Sequence, residues 1–185
     1  DGHARGERWD AEQIEEVEKH FPVWISDVNK LTDAYEMIEQ IGIISNKESK
    51  AKMLISHIKE NFSQLQHSNS NPQTIYLIWQ KPYMTVGGDT FIHSMIEAAG
   101  FQNIYANSTR YPEVTIEELK AKNPDLIILS SEPFPFNQKH IDELQVHLPT
   151  TKIVLADGEM FSWYGSRLIK APAYFATVSE QIVRP

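Results

Sequence analysis

Residues Thr115–Ser131 read TIEELKAKNPDLIILSS, and this stretch decides the fold. Its first half is a helix signal. Thr115 at the N-cap and Glu118 three positions on form a capping box, in which each side chain satisfies the other's backbone N–H. Its second half, Leu126–Leu129, is a continuous apolar run without polar alternation, which is how a strand buried on both faces reads. Similar runs recur in TKIVLAD (Thr151–Asp157), after helical spacing over Asn137–His147, and in TIYLIW (Thr74–Trp79). The latter precedes a helical pattern over Thr90–Phe101 that Gly100 stops. Strands alternating with helices imply βαβ units. The prediction is an α/β fold, a parallel-sheet lobe with flanking helices over residues 72–185.

Upstream of that lobe the periodicity is helical. Ala11, Ile14 and Val17 fall on one face, with Asp10 as the N-cap. FPVWIS (Phe21–Ser26) reads as a short extended piece, because Pro22 disfavours helix at Phe21. Leu31, Ala34, Tyr35, Ile38 and Ile41 mark an amphipathic helix ending between Gly42 and Asn46. Met53, Leu54, Ile58, Phe62 and Leu65 mark a longer one from Lys47 to Gln66, about 30 Å at 1.5 Å per residue. Residues 1–8 read as a flexible start, and HSNSNPQ (His67–Gln73) as a loop that marks a boundary. The expected organisation is therefore residues 1–46, then a long helix over 47–67, then the lobe.

Composition excludes several functions. The 185 residues carry 17 Lys and Arg against 25 Asp and Glu, a net charge of −8. That balance argues against a nucleic-acid partner, whose affinity comes largely from basic side chains. There are no cysteines, so thiolate catalysis, Cys-ligated metal and disulfides are out. His140 and His147 share a helix face, but no HExxH string exists and no third ligand is apparent, so no metal site is expected. WYGSR (Trp163–Arg167) is the nearest string to a nucleophile elbow, and it lacks one glycine and a strand feeding the serine. No catalytic residue is assigned. VGGDT (Val86–Thr90) precedes a helix but lacks the phosphate-loop patterns; it reads as a tight turn with Asp89 capping the helix.

Aromatic residues in loops stand out instead. Trp79, Pro82, Tyr83 and Met84 follow the first strand, Phe134 and Phe136 the second, and Trp163, Tyr164 and Arg167 the third. All follow carboxyl ends of predicted strands, where ligands bind in open parallel sheets. Together they predict an apolar, stackable wall with polar anchors at Tyr83, Ser162, Tyr164 and Arg167. The competing reading is that these rings cap the core, or that the wall pairs with another chain.

The strings PYMTVGGDTFIHSMIEAAGFQNIY, RYPEVTIEELKAKNPDLIILSSEP and GEMFSWYGSR carry a resemblance. They resemble the C-terminal lobe of ABC-transporter substrate-binding proteins with a rigid helical backbone, the group that binds cobalamin, iron–siderophores or haem. The cobalamin-binding members are the most similar. The resemblance covers about Glu15–Phe175. It implies that the helix over 47–67 connects two lobes and that the first lobe is largely absent from this sequence. It further implies a corrinoid or other metal-chelate ligand in an interlobe cleft, a periplasmic or lipid-anchored location, and an inner-membrane permease partner. The three aromatic loops would line one side of the cleft. Glu117 matches the glutamate with which such proteins dock on permease arginines.

Overall fold

In a computed structural model, which describes residues 11–66 and 71–183, the apolar run of the diagnostic stretch lies inside a four-stranded parallel sheet. The chain runs through α1 (Ala11–Glu18), α2 (Leu31–Ile44), α3 (Glu48–Ser63), β1 (Gln73–Leu77), β2 (Tyr83–Met84), α4 (Phe91–Ala98), β3 (Gln102–Asn103) and β4 (Glu113–Val114). It continues through α5 (Ile116–Lys122), β5 (Leu126–Ser130), α6 (Gln138–His147), β6 (Lys152–Ala156), α7 (Glu159–Ser162), a 3-10 turn (Ser166–Ile169) and α8 (Ala171–Val183). The flexible start, the N-cap at Asp10 and His67–Ser70 of the predicted linker lie outside the described residues. No helix among the described residues is long and apolar enough to cross a membrane.

The strand order is β3-β1-β5-β6, and all three pairings are parallel. Register places Ile75 beside Ile127 and Ile127 beside Ile153. Because successive residues of a strand face opposite sides, the apolar runs feed two cores. Tyr76, Leu126, Ile128, Val154 and Ala156 face a core built with Met95 and Ile96 of α4, Phe161 of α7 and Phe175 of α8. Ala34 and Ile38 of α2 and Ala51 and Ile58 of α3 join this same core. Ile75, Leu77, Ile127, Leu129 and Ile153 face the other, closed by Leu119 of α5 and Leu144 of α6. The sheet is thus sandwiched between helices, the α/β arrangement predicted.

Several bounds differ from the periodicity. The long helix stops at Ser63 rather than Gln66, about 24 Å after it begins. The Ser63 hydroxyl there donates to the Glu60 carbonyl at 2.7 Å, the local competition by which serine frays a helix end. The pattern over Trp163–Ile169 predicts the opening of a last helical region, and the structure interrupts it. α7 ends at Ser162, Trp163 is extended, and α8 starts beyond the 3-10 turn.

The cap of α4 is Thr90, not Asp89. Thr90 is the extended residue ahead of the helix, and its hydroxyl accepts from the His93 N–H. Asp89 lies one position too early; its carboxylate accepts from the Arg110 N–H at 2.5 Å. Gly87 and Gly88 are needed for close approach rather than for a turn. A Cβ would lie 2.3 Å from the Ser108 carbonyl at Gly87 and 2.0 Å from that of Ala106 at Gly88. Their N–H groups donate to the carbonyls of Arg110 and Ser108, so they form no anion cradle.

Candidate functional site

The chain leaves β1 toward α4, which packs on one face of the sheet, and leaves β5 toward α6, which packs on the other. Neighbouring parallel strands whose connections depart in opposite directions leave a crevice beyond their carboxyl ends. Loops 78–90, 131–137 and 157–170 meet at this edge.

The first of these loops is a small hairpin. Ile78 N–H donates to the Met84 carbonyl at 3.0 Å and Met84 N–H to the Trp79 carbonyl at 3.1 Å, closing the chain across a cis Lys81–Pro82 bond. Pro82 is exposed at its tip. β2 then pairs with β4, and strand alternation separates two residues expected to work together: Met84 packs against the first core and Tyr83 against the second. The Tyr83 hydroxyl accepts from Gln80 Nε2 at 3.1 Å.

Trp79 and Phe134 are both half-buried and meet edge to face, their centroids 5.6 Å apart. Phe134 contacts Phe136 at 4.7 Å, and the His140 ring lies 5.3 Å from each phenylalanine. Phe136 is buried and supports the cluster from beneath. His140 serves this packing and caps α6, its Nδ1 accepting from the Asn137 N–H at 3.0 Å. No set of three or more His, Asp or Glu side chains among the described residues is arranged to hold a metal ion.

The second cluster presents more ring to solvent. Trp163 is 50% exposed and Tyr164 39%. Tyr164 meets Phe91 edge to face at 5.3 Å, and the Arg167 guanidinium lies 5.7 Å from the Trp163 ring centre while pairing with Glu159. With Met37 of α2, residues Ser162–Gly165 line an open cavity of about 480 Å³. A larger cavity, about 910 Å³, lies between Trp24–Lys30, α2 and α4. Its lining carries the charged side chains Asp27, Lys30, Asp33, Glu36 and Glu97 beside Trp24 and Ile25, and it holds none of the strand-end rings. Two of its carboxylates are occupied already: Asp33 accepts from the Asn29 and Lys30 N–H groups, and Glu97 from that of Asn103.

Sequence reasoning missed Glu132, Met37 and Phe91. Glu132 joins the loops, accepting from Ser162 Oγ at 2.7 Å and from the Trp163 indole N–H at 3.0 Å. The available signal was a lone acidic residue between a buried strand and PFPF. Glu117, on the first turn of α5, is exposed.

Residues 5–152 match the sequence family described as periplasmic binding protein. The chain belongs to that family. The match contains the Trp79–Met84 hairpin, Glu117 and Phe134–Phe136, and stops short of Trp163. Family members are binding proteins rather than enzymes. A vitamin B12-binding protein of Vibrio parahaemolyticus is 25% identical over 125 residues, covering 65% of this chain and 46% of the relative. An uncharacterised ABC transporter substrate-binding lipoprotein of Bacillus subtilis is 26% identical over 111 residues, covering 56% and 35%. The chain therefore spans less than half the length of these curated relatives. A periplasmic haem-binding protein of Vibrio cholerae shares the fold with a TM-score of 0.69 at 19% identity, covering 90% of this chain and 70% of that one.

Proposed function

We propose that this chain supplies the ligand-binding wall of an extracytoplasmic solute receptor for an ABC importer. Its ligand is a corrinoid or another large metal chelate such as haem or a ferric siderophore. The observation that carries the reading is the pair of aromatic clusters, Trp79–Phe134 and Trp163–Tyr164, at the crevice beyond β1, β5 and β6. A broad, partly apolar ligand gains affinity there by stacking and burial, with no covalent step. Relatives named for vitamin B12 and haem support that ligand class. The lipoprotein relative supports a location outside the cytoplasm. In this reading Glu117 meets the permease.

The test is a titration of the chain with cyanocobalamin, haemin and a ferric hydroxamate, followed by tryptophan quenching. Saturable quenching by at least one probe is expected. Trp163→Ala and Trp79→Ala should each weaken it about tenfold, the size of a lost stacking contact plus its buried area. Unchanged affinity in both variants would remove the wall from the site. A second reading, self-association, rests on a separate observation: Phe21 and Ile25 are 67% and 62% exposed.

A further inference from the structure

Glu132 is gripped along its length. Ser130 Oγ donates to its carbonyl at 2.6 Å and accepts from its N–H at 3.3 Å. Its stem lies against Gly158, where an added Cβ would sit 2.5 Å from Glu132 Cγ and 2.4 Å from Ser130 Oγ. The Gly158 N–H in turn donates to Ser131 Oγ at 3.0 Å, binding the loop after β6 to the loop after β5. A carboxylate held this firmly is a fixed acceptor, and its Oε1 takes both the Ser162 hydroxyl and the Trp163 indole N–H.

Trp163 needs such an acceptor. It stands outside any helix and is half exposed, so packing alone does not choose its rotamer. The carboxylate holds the ring at its N–H edge, and Arg167, itself paired with Glu159, covers one face. Half of the Trp163 surface stays exposed, enough for a flat partner to stack on it.

We infer that Glu132 is a positioning residue for ligand binding: it fixes the Trp163 indole so that the face away from Arg167 is presented to the crevice. The inference rests on reading the crevice as a ligand site, and it adds a specificity-determining residue that acts through Trp163. An indole oriented in advance loses less freedom when a ligand stacks on it, so removing the acceptor should weaken binding without deleting a ring.

The experiment has two arms. In the first, without ligand, the Trp163 indole cross-peak is identified in a ¹⁵N–¹H spectrum by its loss in Trp163→Phe. Glu132→Ala should shift that cross-peak upfield and speed its exchange with solvent about tenfold, a factor that scales with the lost hydrogen bond. Glu132→Gln, which keeps an acceptor oxygen, should leave it close to the parent position. The Ser131–Gly158 bond survives in both variants, and unchanged far-UV circular dichroism confirms that they fold.

In the second arm, the dissociation constant for cyanocobalamin or haemin should rise about tenfold in Glu132→Ala and recover in Glu132→Gln, as expected for a hydrogen bond lost and restored. An unmoved cross-peak in Glu132→Ala overturns the contact. A moved cross-peak with unchanged affinity overturns its use in binding. If the parent chain takes up neither probe, the ligand reading falls and the positioning role falls with it, while the first arm still decides whether Glu132 holds Trp163.

Discussion

The Tyr76 hydroxyl is fully buried beneath the crevice and donates to Ser130 Oγ at 3.1 Å. Burial pushes its ionisation far above the ordinary tyrosine range; the Ser130 hydrogen bond opposes this in part, and the neighbouring Tyr174, Glu132 and Asp157 add to it. Tyr35, Tyr105 and Tyr174 move the same way, chiefly through burial. The unfolded chain releases these protons near pH 10 and the native chain retains them, so above that pH the native state binds more protons and stability falls. Urea unfolding should show stability falling above about pH 10, with Tyr76 contributing about 1.4 kcal/mol per pH unit. Tyr76→Phe should cost about 1 kcal/mol at neutral pH for its hydrogen bond and flatten the alkaline slope. An equally steep slope in that variant would refute the assignment. At this scale the exposed rings were legible because aromatic residues are conspicuous in loops. Glu132 was not, because its partners, Ser162 and Trp163, lie 30 and 31 residues away and a single carboxylate leaves no periodic trace.

Helix termini show how far local chemistry can be read. The TIEELK capping box is present as spelled: Thr115 Oγ accepts from the Glu118 N–H at 3.2 Å and Glu118 accepts from the Thr115 N–H at 2.7 Å. At α4 two good capping residues stand side by side, and composition cannot choose between them. Backbone geometry does, giving the cap to Thr90, whose buried hydroxyl also donates to the Gly87 carbonyl at 2.8 Å. Thr90→Ala should therefore cost about 1–2 kcal/mol. Asp89→Ala, which loses a partly exposed contact with Arg110, should cost less than about 1 kcal/mol. Thermal denaturation of the two variants ranks them, and the reverse order would return the cap to Asp89. Elements of two residues, β2, β3 and β4, were invisible beforehand because alternation needs more than two positions to show. Trp163–Ile169 misled in the opposite direction: its composition suits a helix, but the indole contact with Glu132 accompanies an extended backbone at Trp163.

For the molecule as a whole, the apolar runs predicted a parallel sheet but not its order, because strand neighbours are chosen by crossovers and not by composition. The order β3-β1-β5-β6 puts the first two aromatic loops on adjacent strands, which makes the crevice. The extended segment predicted at Phe21–Ser26 lies in no sheet. Phe21, Trp24 and Ile25 are exposed there, and so are Ile41 and Ile44 on α2, which continue the helical stripe begun by Met37. FPVWIS carries no charge, and an extended, uncharged segment with exposed apolar side chains can pair with another chain. Apolar surface of this kind drives association when nothing covers it. Sedimentation velocity should show the average mass of the chain rising with concentration. Ile25→Asp should suppress that rise, because a charge in the middle of a pairing strand opposes close approach. Val146→Ser removes an equally apolar side chain, 79% exposed on α6, and should leave the rise intact. A chain that stays monomeric at every concentration, or a rise that Val146→Ser abolishes as well as Ile25→Asp, would mean that Phe21–Ile25 has no special role in association.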